Sequence, residues 1–208
     1  MDDERTIGLV TRIYPLTETS LIFHCLTESC GRIGLVARGA RKPKSPFTGK
    51  IDLYYKVDIA FGRSSKSELH QVRELELLDP NTHLRMHLDL LQQATYINRL
   101  VDLATETETP LDEIYTRFDS FITNLKSSPA RAESIIAMEY DLLTILGLSP
   151  ALEGARLGPV VQRFFGNASA RDEKLEPRYL AEANRFLRNL IIGQLGKIPA
   201  GRDAALLF

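Results

Sequence analysis

Residues 21–37 read LIFHCLTESCGRIGLVA, and the alternation within them decides the fold. Leu21, Phe23 and Cys25 alternate with Ile22 and His24. After a turn at Cys30-Gly31, Ile33, Leu35 and Ala37 alternate with Arg32, Gly34, Val36 and Arg38. Successive strand side chains point to opposite faces, so one apolar set at a period of two predicts half-buried antiparallel strands. The pattern extends outward in both directions. Ile7, Leu9, Thr11 and Ile13 precede it as one face of a strand. Leu53, Tyr55, Val57, Ile59 and Phe61 follow, set against Tyr54, Lys56, Asp58 and Ala60. A fifth strand is expected within residues 67–77, where the alternation is less clean. Five short strands in about eighty residues suit a small barrel, for which the OB-fold is a common solution.

From Asp79-Pro80 onward the period becomes helical. Leu90, Ala94, Ile97, Val101 and Ala104 form one stripe, widened by Leu84, Leu88 and Leu91. Thr109 as N-cap, Pro110 at the first position and Asp112 and Glu113 in the first turn announce the next helix, with Leu111, Ile114, Tyr115, Phe118, Ile122 and Leu125 inward. Ser128-Pro129 opens a third helix that stops at Gly147, and a last helix through Leu180, Phe186, Leu187 and Ile191 ends near Gly196. Residues 148–176, carrying several Gly and Pro, are expected to be a loop with one short turn. The expected architecture is α+β, with a five-stranded OB-fold barrel over residues 1–80 and an α-helical domain over 81–208.

Hydrophobic residues make up 44% of the 208 and charged residues 25%, an ordinary globular composition. The formal net charge is −1, so attraction to nucleic acid requires a local patch. No apolar run reaches the length of a membrane span, the opening MDDERT is unlike a signal peptide, and there are two Cys; a reduced cytoplasmic setting is expected.

One stretch is electrostatically unusual. Residues 31–50 carry Arg32, Arg38, Arg41, Lys42, Lys44 and Lys50, with no acid between Glu28 and Asp52. The cluster runs along a strand into a loop with Gly39, Pro43, Ser45, Pro46 and Gly49. Phosphates need cations on a shared surface, and such a loop provides one. Phe47, Tyr54 and Tyr55 lie near enough in sequence to stack bases, although Tyr55 shares the apolar face of its strand. The residues alone fit a nucleic-acid surface and a solvated basic loop equally well.

Other chemistry finds less support. His24, Cys25 and Cys30 are possible zinc ligands, but alternation points His24 and Cys25 to opposite faces and no second ligand pair follows. His83 and His87 stand at i, i+4 without the Glu of a metalloprotease signature. The string TGK at residues 48–50 fails as a phosphate loop, since Lys44 stands where its first Gly belongs. No Ser or Cys nucleophile signature and no dinucleotide fingerprint occurs. Asp102, Glu106, Glu108, Asp112 and Glu113 are explained by helix ends.

The stretch ETSLIFHCLTESCGRIGLVARGARKPKSPF (residues 18–47) resembles the N-terminal signature of the RecO family: a strand, an LT-x-x-x-G turn, and a strand ending in a G-A-R-basic loop. YINRLVDLATETETP (96–110), MEYDLLTILGLSPAL (138–152) and LGKIPAGRDAALLF (195–208) continue the likeness over nearly the whole chain. The resemblance implies an OB-fold domain followed by a helical one. It also implies a non-enzymatic mediator of DNA repair and recombination in the nucleoid-associated cytoplasm. Such a mediator binds and anneals single- and double-stranded DNA, and works with RecR and the single-strand-binding protein SSB to load RecA. Carried over by position, Arg38, Arg41, Lys42 and Lys44 would contact DNA, with Arg32 on the feeding strand; Lys50 joins these candidates from the charge cluster alone. Three departures stand out. Residues 153–176 lack the four cysteines of the zinc module many members carry, so neither metal nor cofactor is expected. Lys50-Ile51-Asp52-Leu53 replaces the usual L-x-P-F. Ile136 and Ala137 stand where members often have Arg, which leaves Arg131, with Tyr140, as the candidate contact for an acidic SSB tail. Two rival classes remain: a protein-interaction barrel that does not bind DNA, and an enzyme such as a metal-dependent nuclease.

Overall fold

The computed structural model describes residues 3–152 and 155–207, the side chain of residue 172 excepted. The chain divides into two compact units, Met1–Thr82 with Thr105–Asp119, and His83–Ala104 with Ser120–Phe208. The first is built on five strands: β1 (Asp3–Pro15), β2 (Leu21–Thr27), β3 (Gly31–Ala37), β4 (Lys56–Gly62) and β5 (Leu69–Asp79). They close into a barrel in the order β1-β2-β3-β5-β4. β3 and β5 run parallel and every other pair antiparallel, which is the OB-fold arrangement.

The alternation read from sequence holds through β2, β3 and β4, whose inward residues Phe23, Cys25, Ile33, Leu35, Ala37, Val57, Ile59 and Phe61 fill the barrel; ahead of β4 it fails, because residues 53–55 are turn rather than strand, with Leu53 exposed and Tyr54 buried. It breaks in β1 and β5, for the same reason in each. In β1 the register steps from Val10↔Cys25 to Arg12↔His24, so Thr11 is an extra residue. That bulge brings Val10 and Ile13 to the barrel core in place of the expected Leu9–Thr11–Ile13 face; Leu9 is buried but lies outside this cluster. In β5, pairing steps from Phe61↔Val72 to Ala60↔Glu74 and from Val57↔Leu77 to Lys56↔Asp79. Arg73 and Leu78 are the extra residues, and the inward set shifts phase at Arg73, from Val72 to Leu75 and Leu77. The blurred alternation of residues 67–77 is therefore the bulge at Arg73, and the second bulge lies just beyond it at Leu78.

The segment after the first long helix also departs from expectation. Residues 105–109 do not lead straight into a helix but lie against the start of β3. Arg32 and Thr107 form a parallel bridge, Glu108 N–H donates to the Arg32 carbonyl at 2.9 Å, and the Arg32 guanidinium donates to the Thr105 hydroxyl at 2.9 Å. With residues 107–109 drawn to the barrel, Thr109 cannot cap the helix; its first turn closes on the Leu111 carbonyl instead, and the helix begins at Asp112.

The helices are α1 (His83–Met86), α2 (Leu88–Ala104), α3 (Asp112–Asn124), α4 (Ala132–Ile145), α5 (Pro159–Gly166), α6 (Pro177–Leu195) and α7 (Arg202–Ala205). Leu84 is buried as expected but Leu88 is exposed, because the chain breaks between α1 and α2. Gly147 (φ +69°) and Gly196 (φ +76°) terminate α4 and α6 in left-handed backbone, as read. Helix α5 was not expected. Gly158 and Pro159 read as loop, yet Pro at the first turn starts a helix whose Val161, Phe164 and Phe165 are buried. Residues 153 and 154 of the expected 148–176 loop lie outside the described residues.

Within the second unit a buried polar cluster binds α7 to α2, α4 and α6. Arg202, 3% exposed, donates from Nε and Nη2 to the two carboxylate oxygens of Glu139, 0% exposed, at 2.6 and 2.7 Å, and from Nη1 to Asn184 at 2.5 Å. Tyr96 donates to the same carboxylate. Burial, with the Glu139 charge beside it, pushes the Tyr96 phenol well up, so it stays protonated as a donor. Gln93 adds hydrogen bonds to the Arg131 and Ala205 carbonyls at 2.8 and 2.9 Å.

Candidate nucleic-acid interface

Residues 38–55, between β3 and β4, form a chain of turns rather than a helix. Gly39 (φ +70°) and Gly49 (φ +74°) supply left-handed backbone that a side chain would resist. The loop is pinned to the β1–β2 hairpin at three places. Arg41 N–H donates to the Thr19 carbonyl at 3.0 Å, the Arg41 guanidinium to the Thr17 carbonyl at 3.1 Å, and Gly39 N–H to the Ser20 hydroxyl at 3.3 Å. Phe47 and Ala40, each 8% exposed, tuck into the barrel core and hold the loop from beneath.

This anchoring sorts the six sequence-predicted cations. Arg38, Lys42 and Lys44 are exposed, and among the described residues none has an acidic partner. Arg41 is exposed but spends one N–H on Thr17. Lys50 is half-buried, its ammonium donating to the Leu75 carbonyl at 3.3 Å. Arg32 is half-buried and turned to Thr105. The structure thus brings Arg38, Arg41, Lys42 and Lys44 together on one loop and holds Arg32 and Lys50 by other contacts.

The aromatics sort differently from the sequence reading. Phe47 and Tyr54 are buried, Tyr54 edge-on to Phe118 with centroids 6.4 Å apart, so neither can stack a base. Tyr55 packs half-buried against the barrel core. The one exposed aromatic among the described residues is Tyr14, which sequence reasoning passed over. Its signal was available: it is the outward neighbour of Ile13 at the end of a strand.

At another part of the barrel sits a network of opposite charges. Arg63 donates to both Glu4 oxygens at 2.6 and 2.8 Å and to Glu108 at 2.7 Å. His70, 1% exposed, stacks on Phe61 with centroids 5.4 Å apart; its Nε2 lies 3.4 Å from Glu108 without hydrogen-bond geometry. Burial holds the His70 pKa below its usual value, with the Arg63 charge adding to the effect and the carboxylates opposing it. The Arg63 hydrogen bond holds the Glu4 carboxyl low. Arg63 is neutralised in place and adds nothing to an anion-binding surface.

The remaining candidates resolve in the same way. Cys25 is fully buried and burial pushes its thiol up; Cys30 is half-buried beside Glu4. His83 meets the Ile122 carbonyl at 3.1 Å, while His87 is exposed. Among the described residues no group of three His, Cys, Asp or Glu is placed to hold a metal ion, and no helix is long and apolar enough to cross a membrane. In the helical unit Tyr140 is buried and stacked on Phe165, centroids 4.4 Å apart. Arg131 is half-buried, donating to the Glu173 carbonyl at 3.0 Å and 3.6 Å from Glu133.

Barrel order, loop and helical unit together define an OB-barrel protein with a cationic β3–β4 loop and an appended helical region. The family described as "Recombination protein O N terminal" matches residues 1–81, and "Recombination protein O C terminal" matches residues 86–155. The chain belongs to the RecO family. It is 31% identical over 150 residues to "DNA repair protein RecO" of Xylella fastidiosa (strain M23), covering 72% of this chain and 60% of that protein. To the protein of the same name from Idiomarina loihiensis it is 30% identical over 140 residues, 67% of this chain and 59% of the relative. With that of Syntrophus aciditrophicus, 24% identity extends over 204 residues, 96% of this chain and 78% of the relative. The chain therefore spans about 60% of the length of the Xylella and Idiomarina relatives.

Proposed function

We propose that this protein is a non-enzymatic mediator of recombinational DNA repair that binds DNA through the β3–β4 loop. One observation carries the reading: Arg38, Lys42 and Lys44 are exposed and without acidic partners on a loop whose backbone is pinned to the barrel. Other cations of the barrel, such as Arg5, Lys56 and Arg63, are paired with carboxylates, so this loop is where an anion gains most. Annealing two strands requires only that their phosphates be screened and brought together, which a fixed cationic surface does without an active site. Family membership supports the further role of acting with RecR on SSB-coated strands to load RecA. An SSB tail contact in the helical unit rests on Arg131 alone, because packing against Phe165 covers Tyr140; a labelled tail peptide that binds wild type and Arg131→Ala equally removes it.

The direct test is annealing of complementary oligonucleotides. Wild type accelerates it, and joint replacement of Arg38, Lys42 and Lys44 by Ala abolishes most of the acceleration with folding unchanged, since exposed loop charges contribute little to stability. Annealing at the wild-type rate by that variant overturns the assignment of the site. Metal-dependent cleavage of the strands would place the protein among nucleases instead.

A further inference from the structure

We propose that Tyr14 is a base-stacking residue: a single strand crosses the outer face of β1, β2 and β3 with one base on the Tyr14 ring and its phosphates on the adjoining loop cations. The inference rests on the DNA-binding reading and deepens it, because it adds a contact that separates single strands from duplex.

Tyr14 is 46% exposed, whereas Phe23, Phe47, Tyr54 and Phe61 of the same unit are buried. The ring is also oriented. His24 meets it edge to face, with centroids 6.0 Å apart and planes at 89°. Register places it on a defined row: Tyr14 pairs with Ile22, and Ile22 with Val36. These three alternate with the inward Ile13, Phe23 and Leu35, so they share the outer face of three adjacent strands. At about 4.8 Å per strand, the row spans roughly 10 Å from Tyr14 to Val36. Beyond Val36 the chain continues through Ala37 into Arg38, Lys42 and Lys44.

Ring and cations are parts of one surface. The hairpin tip that follows Tyr14 is the segment to which the loop is tied, through the Thr17 and Thr19 carbonyls and the Ser20 hydroxyl. From Arg12 to Ile51 the only acids are Glu18, on that tip, and Glu28, in the turn at the opposite end of β2. A strand laid along the row meets no other carboxylate from this segment.

The chemistry favours single strands. Every base has a π face, so stacking on an exposed ring needs no particular sequence. A flexible single strand can turn a base onto the ring while its phosphates follow the cations; a duplex keeps its bases stacked inside and offers only phosphates. Tyr14 thereby adds affinity for single strands, and the loop charges add affinity for both.

The experiment uses the full chain with a 20-nucleotide oligo(dT), an abasic oligonucleotide of the same length, and a matched duplex. Tyr14→Ala is expected to bind oligo(dT) about tenfold more weakly, with duplex affinity and the salt dependence unchanged. Tyr14→Phe keeps wild-type binding, and the abasic strand binds wild type and Tyr14→Ala alike. Because the chain contains no Trp, Tyr14→Trp introduces a single reporter whose fluorescence is quenched by oligo(dT) and not by duplex. Wild-type oligo(dT) affinity in Tyr14→Ala, or an equal loss on the abasic strand, overturns the stacking role while steep salt dependence leaves the loop reading standing. Salt-insensitive or absent binding by the wild type overturns both.

Discussion

Gly31 begins β3 at φ +67°, and a Cβ built there would lie 2.1 Å from the Thr109 carbonyl oxygen. Two costs would add at this position: the left-handed backbone, about 1–2 kcal/mol for a non-glycine residue, and a collision with backbone that has no flexible end to move. Gly49 has the same backbone sign (φ +74°) but nothing within 4 Å of its Cβ. Gly31→Ala is therefore expected to destabilise clearly more than Gly49→Ala, by about 2 kcal/mol or more against about 1, measured by urea denaturation of both. Equal effects would mean that residues 105–109 do not press on β3 as described. The Cys30-Gly31 turn was legible from sequence; the reason for a glycine there was not, since Thr109 lies far along the chain and no local pattern announces it. Tyr14 shows the same limit from the other side. Its place on an outward row follows from alternation, but its standing as the one exposed aromatic among the described residues emerges only once Phe47 and Tyr54 are seen to be buried.

At the scale of elements, sequence spacing was enough for β2, β3 and β4 because none of the three carries a bulge's extra residue. It failed in β1 and β5 where bulges shift the phase, and in residues 148–176, where Gly158 and Pro159 hid the start of α5. Most of the loop site was legible as charge. Its division into exposed cations and held ones was not, because Lys50 is held by the Leu75 carbonyl and Arg32 by Thr105, both distant in sequence. The short helix α7 is a comparable case: an Arg in a polar GRD sequence turns out to be buried against Glu139. A buried bidentate pair holds its elements together, and removal of one partner leaves an uncompensated charge. Arg202→Ala is expected to cost about 3–5 kcal/mol and to release α7, seen as lowered Tm and faster amide exchange across residues 202–206. A loss below about 1 kcal/mol, the range of exposed ion pairs, would show that the pair is solvated.

For the whole molecule, the burial of His70 and the pairing of Glu4 with Arg63 make stability depend on pH with a definite sign. The folded pKa of His70 lies below its unfolded value of about 6.5, so the unfolded chain binds more protons in the window between the two. Stability is fully present above pH 6.5 and falls as the pH drops through that window. Glu4, also depressed, adds a second loss as the pH falls below about 4.5. Between pH 7.5 and 5.5 the Tm of the wild type should decrease, and that of His70→Gln should decrease less. A parallel decline in both would assign the effect elsewhere.

Counterion release measures directly whether three exposed cations on the β3–β4 loop supply most of the affinity for DNA, as proposed. If about five phosphates are neutralised, the slope of log affinity against log salt for a single strand is near −3.5, about a hundredfold weakening from 50 to 200 mM. With Arg38, Lys42 and Lys44 replaced by Ala, about two phosphate contacts remain and the slope should flatten to about −1.4. One salt titration of a labelled single strand with each protein is expected to give that pair of slopes. The wild-type slope retained in the variant would contradict the proposal and place the DNA site away from this loop.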